Sequence, residues 1–372
     1  MFHQKKVVYI ISKIYKSLAF EWITTGLKSD YQLSFIVLNP SVSPMEEFLL
    51  NNNVEVKRIR YRGKKDFVVA FIKTFLFLMI KRPQIVHAHL LDAQLIGLTA
   101  AKITFIQKRI YTRHNSNYHH VYHPQGIRFD LWSNRMATHI VSISQATDYT
   151  LLRLEGASPD KIVKIPHGFS FNTFDNVDEG QSMRMKRKWM ISGQYPVIGV
   201  IARHIEWKGI QFIIPAFKKL LNEYPKAILI LANADGPYIK TISELVKTIP
   251  SASLVIIPFE EDVAALYSTF DLYIHTPVDS LCEAFGQTYV EALAAGVPSI
   301  FTLSGIAVEF IEDNKNALVV DFKNSDSIYQ TMVKLLKDSK LRRRLVENGK
   351  QDVLSRFGIE PMLIALRNLY GT

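Results

Sequence analysis

A chain of 372 residues that is 48% hydrophobic, with no repeat and no low-complexity segment, has apolar material for two cores of ordinary domain size. Its single cysteine, Cys282, excludes an internal disulfide and suits a reducing compartment. The net charge of +11 lies wholly in the first half: residues 1–175 carry 23 Lys+Arg against 12 Asp+Glu, and the remainder carries 22 of each. The excess peaks at Lys57, Arg58, Arg60, Arg62, Lys64 and Lys65. Such a patch suits nucleic acid, an anionic membrane or an acidic acceptor; no nucleic-acid-binding motif accompanies it, which favours the membrane surface, with a merely solvated basic face as the alternative.

The opening MFHQKKVVYIIS is basic and then apolar, but the apolar run is short and lacks a small-residue cleavage site, so it reads as a first strand. Strands are predicted at 7–11, 33–38, 54–59, 84–88, 109–113, 139–142 and 162–165, with helices at 18–27, 45–50, 66–80, 93–102 and 145–155. Alternation at this spacing argues for a parallel sheet covered on both faces. The run 67–80 is the most apolar in the chain, but Lys73 interrupts it and it falls short of the roughly 20 residues of a membrane span. Its stripe Phe71, Phe75 and Leu78 either packs on the sheet or meets a bilayer. Polar residues close several strands, among them His87, His89 and His114. His119 and His123 have helical i, i+4 spacing, which raises metal binding with His114 and His120, but no cysteine joins them.

The polar stretch 172–194 makes a linker, drawn at 176–194, and the strand–helix alternation restarts at Pro196. After a strand at 197–202, Arg203 and Lys208 flank the mouth of a strand–helix turn, where two cations suit a diphosphate. Strands follow at 227–232, 255–257 (leading into Pro258-Phe259), 271–275, 299–301 and 317–320, and helices at 327–336, 342–355 and 361–370. Within 279–298 a loop carrying Glu283 precedes a helix from Gln287 that carries Glu291 about one turn inside and stops at Gly296 and Pro298. Eight residues arranged this way separate the carboxylates by about 10 Å, too far for a shared proton and a good span for two hydroxyl-bearing ends of one ligand. The backbone of Phe285, Gly286 and Gln287 forms the helix N-terminus between them, where anions bind. Hydroxyl acceptors flanking an anion site describe a nucleotide sugar.

Glu283-Ala284-Phe285-Gly286 followed by Glu291-Ala292 and Ala295-Gly296-Val297-Pro298 resembles the glutamate, seven residues, glutamate signature of the family 4 retaining glycosyltransferases, also called glycosyl transferases group 1. Arg203 to Gly209 is similar to that family's Arg, four residues, Lys-Gly motif, and residues 82–89 to its Pro-Asp-Ile-Val-His segment with Gln84 in place of Asp. The resemblance departs at residues 12–17, which lack the family's glycines, at His167, which replaces an Asn, and at 233–237, which keeps half of a Gly-x-Gly-Pro turn.

The resemblance implies an α/β chain of GT-B fold, two Rossmann-like domains whose parallel sheets face each other across a cleft. Its parts would be an acceptor-side domain 1–175, the linker 176–194, a nucleotide-sugar domain 195–355 and a C-terminal helix 356–372 crossing back to the first domain. It implies catalytic parts for Glu283, His114 (facing the donor sugar near its anomeric carbon), Arg203 and Lys208. Donor binding would fall to Arg203, Lys208, Phe259, Phe285, Gly286, Gln287 and Glu291, with no metal and no separate cofactor. The expected enzyme is a metal-independent, hexosyltransferase-like protein using a nucleotide sugar, UDP-sugar favoured. Its acceptor would be a glycan or lipid-linked molecule in surface polysaccharide biosynthesis. The expected location is cytoplasmic and peripheral at the inner face of the membrane, without nucleic acid. The alternatives are a sugar-nucleotide epimerase of the same fold and a non-catalytic basic membrane-surface protein.

Overall fold

The computed structural model of the chain describes residues 4–371, so the first three residues of the opening reading lie outside it. The chain forms two compact units, one running to Phe169 and taking the chain up again from Ile359, the other spanning Ser170–Gly358.

The first unit is built on seven parallel strands: β1 Lys6–Ser12, β2 Gln32–Asn39, β3 Glu55–Arg60, β4 Ile85–His89, β5 Lys108–Thr112, β6 His139–Ser142 and β7 Ile162–Lys164. Their order is β3-β2-β1-β4-β5-β6-β7. Alternate residues face opposite sides of a strand. Val7, Tyr9 and Ile11 of β1 pack in one core with the helix Leu18–Leu27. Val8 and Ile10 pack in the other, against the helices Phe67–Lys81 and Leu91–Ile103. The helix Ile359–Gly371 completes the first core through Met362, Leu363, Leu366 and Leu369. Its C-terminal carbonyls accept from Lys5 Nζ (3.0 and 2.9 Å) and Lys108 Nζ (2.5 Å), the placement of cations that a helix dipole favours.

The second unit carries six parallel strands: β8 Val197–Ile201, β9 Ile228–Ala232, β10 Leu254–Ile257, β11 Leu272–His275, β12 Ser299–Phe301 and β13 Leu318–Val319, in the order β10-β9-β8-β11-β12-β13. The order reverses between β8 and β11. The carboxyl ends of those two strands therefore form a switch point, which is where open α/β sheets hold ligands.

Three expectations change. The segment 176–194 is not an extended linker: it contains the helix Glu179–Lys188, started by a capping box between Asp178 and Gln181. Lys188 and Trp189 both donate to Glu260, and Met185 is buried, so the polar residues read as linker are one face of a docked helix. In the first half, the helices Tyr118–Tyr122 and Ile127–Met136 lie where no helix was predicted. Finally, the helix predicted over 145–155 gives way after Tyr149 to a π-helical turn, Thr150–Leu154.

Candidate active site

The second unit brings the loops from β8 and β11 together at the switch point. The β8 loop runs from Arg203 to Gly209, and Trp207 O accepts from Val278 N (3.0 Å) in the β11 loop. Gly209 has φ +74, and a Cβ there would stand 1.8 Å from the Thr276 carbonyl oxygen. Only glycine permits that approach. Gly305 is also closely packed, though less so: a Cβ would meet Phe285 O at 2.6 Å and the Glu283 Cβ at 2.9 Å. From that turn Ser304 Oγ accepts from Glu283 N (3.2 Å) and Ile306 N donates to Phe285 O (2.9 Å), fixing the backbone on both sides of Ala284.

This scaffold places Lys208 Nζ 2.5 Å from Glu283 Oε1. The same oxygen lies 3.3 Å from His275 Nε2, a contact without hydrogen-bonding geometry that leaves both ring nitrogens of His275 unpaired in the interior. Glu283 is 7% exposed. Burial alone would raise its pKa, but the Lys208 ammonium and His275 outweigh that and hold it at about 2. It is therefore an acceptor only at any ordinary pH, and its Oε2 has no protein partner among the described residues, ready for a hydroxyl donor. Burial lowers the pKa of His275, against the opposing pull of Glu283. Arg203 is exposed and makes no ion pair or side-chain hydrogen bond among the described residues, a cation free to meet an anion.

Glu291, in the helix Gln287–Ala294, stands apart from that pair: it accepts from the Tyr267 hydroxyl (3.2 Å), and burial pushes its pKa up to about 7. Gly286 caps the helix with φ +83, and Gln287 opens it exposed to solvent. The first N–H groups of an α-helix lack intrahelical acceptors, so this end can take an anion. The Phe285 ring itself is buried edge-on to Phe357 (5.9 Å), so the side chain is closed to a ligand. Phe259 lies beyond β10 and is 73% exposed. Cys282 is no nucleophile, because burial first and then Glu283 and Asp279 push its thiol up to about 12.

In the first unit, His114 Nε2 pairs with His89 Nδ1 (2.9 Å) and its ring stacks on His167 (5.5 Å). Burial, helped by His167 and His87, holds His114 at about 3, so it is neutral at pH 7 and suited to hydrogen bonding rather than acid catalysis. His119 instead pairs with Asp130 (2.5 Å). His120 approaches Glu155 (3.4 Å), and Asp130 and Glu155 both hold the fully buried Arg113, which gives those histidines a structural explanation. Lys13, in the glycine-free loop after β1, is neutralised by Asp92 (2.7 Å).

Sequence reasoning did not single out His275, Tyr267 or the Ser304–Gly305 turn as parts of the site. His275 carried a signal, a histidine ending an otherwise apolar strand at the switch point; Tyr267 and Ser304 carried none.

Two family profiles match in tandem, "Glycosyltransferase Family 4" over residues 23–172 and "Glycosyl transferases group 1" over 182–352. The chain belongs to these glycosyltransferases. A Staphylococcus aureus relative, the capsular polysaccharide biosynthesis glycosyltransferase CapM, is 24% identical over 314 residues, covering 82% of this chain and 80% of its own. The Bacillus anthracis N-acetyl-alpha-D-glucosaminyl L-malate synthase is 28% identical over 188 residues, about half of each chain (50% and 48%). Among solved structures, Anabaena HepE in complex with UDP and glucose superposes with a TM-score of 0.86 at 17% identity, covering 99% of this chain and 100% of its own. The two parallel sheets are thus those of a GT-B glycosyltransferase.

The raised pKa of Glu291 in this glycosyltransferase gives an expected pH effect. Its folded value, about 7, exceeds the ordinary 4.5, so the stability linked to its protonated form is complete below pH 4.5 and lost as pH rises through 7. Glu291→Gln is expected to melt a few degrees above the parent at pH 8.5, with the difference closing by pH 4.5. Thermal denaturation across that range checks it.

Proposed function

We propose that this glycosyltransferase moves a sugar, with retention of anomeric configuration, from a nucleoside diphosphate sugar to a glycan or lipid-linked acceptor in surface polysaccharide synthesis. The observation that carries this reading is Glu283, a carboxylate held ionised beside Lys208 at the switch point of the second sheet. Glu283 accepts from hydroxyls of the donor sugar and Glu291 from those of the ribose. Arg203, Lys208 and the N–H groups from Phe285 to Gln287 take the diphosphate, where charge grows as the leaving group departs. The backbone about Phe259 meets the base, and His114 takes a hydrogen-bonding part in transfer. UDP is the favoured carrier, supported by the HepE complexes with UDP and with UDP-glucose, and a polysaccharide product is supported by the name of CapM. No metal enters this reading, because fixed cations and backbone N–H groups do its work. The place of action is the cytoplasmic face of a membrane; no helix among the described residues is long and apolar enough to cross one.

The test is a thermal-shift panel of UDP- and GDP-sugars, followed by transfer assays with and without EDTA. A UDP-sugar at about 100 times its dissociation constant is expected to stabilise by about 2.7 kcal/mol, and EDTA is expected to leave turnover unchanged. Turnover abolished by EDTA and restored by Mg²⁺ would overturn the metal-free site. Conversion of the donor alone into a different sugar nucleotide would make the chain an epimerase.

A further inference from the structure

The helix Phe67–Lys81 is apolar on two sides, and the sheet uses only one of them. Ala70, Thr74 and Leu78 are buried, with Phe71 and Phe75 packed on the same core, so the stripe singled out from the sequence is the inward one. On the opposite side Val68, Ile72, Leu76, Met79 and Ile80 are 66, 49, 51, 49 and 78% exposed. They recur at i, i+4, i+8, i+11 and i+12, one continuous stripe along a helix about 22 Å long. A helix on a protein–water boundary normally places polar residues there; this one has Lys73 alone between its ends. Phe105, 89% exposed with φ +59, protrudes from the turn after the neighbouring helix Leu91–Ile103. A bulky side chain in that backbone region is strained. Phe105 shares with Met79 and Arg82 the lining of a pocket of about 810 Å³.

The charge around this face is mainly positive, although Asp66 stands at the helix N-terminus. Lys64, Lys65, Lys73, Arg82 and Lys102 are exposed and make no ion pair among the described residues. Lys81, the cation that does, is matched by Glu55 (2.6 Å). A second copy of the chain would bring like charge against like, whereas an anionic bilayer complements the rim and takes up the apolar stripe.

We propose that the outer stripe of Phe67–Lys81, together with Phe105, lies in the headgroup–acyl boundary of an anionic membrane, the helix parallel to the surface and its flanking cations on lipid phosphates. This deepens the membrane-face reading given above and rests on it for its purpose.

The experiment uses the whole chain without nucleotide. Vesicles of phosphatidylcholine with increasing phosphatidylglycerol are co-sedimented with it at about 0.1 M salt, where the Debye length is about 10 Å. The variants are Ile72→Gln/Leu76→Gln, Phe105→Ser and Lys64→Glu/Lys65→Glu, each checked by circular dichroism and thermal melting. Bound fraction is expected to rise with phosphatidylglycerol. The partition coefficient is expected to fall at least tenfold in the first variant and severalfold in the second, with the fold unchanged, and the charge variant is expected to lose the dependence on anionic lipid. An Ile72→Trp probe is expected to shift its emission to the blue on vesicles. Salt-sensitive binding untouched by the apolar variants would overturn insertion and leave the membrane-face reading standing. No binding at any composition would overturn both, while transfer to a soluble acceptor would still support the glycosyltransferase reading. A concentration-dependent dimer lost in the apolar variants would assign the face to self-association and overturn the proposal.

Discussion

Glu283→Gln is expected to lose roughly 10²–10³-fold in turnover, the range for removing one preorganised polar contact to a transition state. The substitution keeps the shape and removes the charge, so Lys208 loses its counterion and the sugar hydroxyls lose a carboxylate. Glu283 is 7% exposed, and its position in a loop does not make it dispensable to the fold. Its pKa is depressed to about 2 against an ordinary 4.5, so the stability it contributes is present above pH 4.5 and lost as pH falls through 2. At pH 7 that amounts to about 3 kcal/mol. The variant should therefore melt earlier than the parent at pH 7, with the gap narrowing toward pH 2. Turnover and thermal melts measured together separate the two effects: parental turnover in a folded variant would remove Glu283 from the reaction.

Gly209→Ala is expected to be more damaging to stability than any charge change in the site. The added methyl would stand 1.8 Å from the Thr276 carbonyl oxygen and 2.9 Å from its carbon, in a residue at φ +74. Backbone cannot yield as a flexible side chain can, so the β8 and β11 loops must separate, carrying Lys208 away from Glu283. A loss of about 3–5 kcal/mol in the unfolding of the second unit is the expected size, the range of the largest single-residue effects. Gly63→Ala is the control: its φ is +146, but nothing lies within 4 Å of the added atom, so only strain of about 1 kcal/mol is incurred. Urea denaturation of the two variants is the measurement. Equal losses would show that the contact with Thr276 carries no weight.

Much of the architecture was legible because the periodicities of buried elements are written locally. The run 7–11 alternates between two cores, and the strand Lys6–Ser12 followed from it. The helix Leu18–Leu27 was predicted with the bounds it has. The same local reasoning failed at 176–194, because a helix that buries little beyond Met185 resembles a solvated linker in composition. It also failed at Tyr118–Tyr122, whose histidines are held by acids 11 and 35 residues away in the chain.

The sequence by itself determined two parallel-sheet units, the family signature and the identity of the cations and carboxylates, because spacing within one loop or helix is a local property. Only the tertiary structure decided what those groups are chemically. Glu283 is ionised because Lys208 outweighs its burial, and Glu291 is raised to about 7 by burial, which the hydrogen bond from Tyr267 only partly offsets. Those partners come from 75 and 24 residues away. Likewise, the sequence shows that 67–80 is highly apolar, but which side meets the sheet depends on where the chain places that sheet. Burial and long-range contact are not local quantities, and they set the sign of every pKa shift in this site.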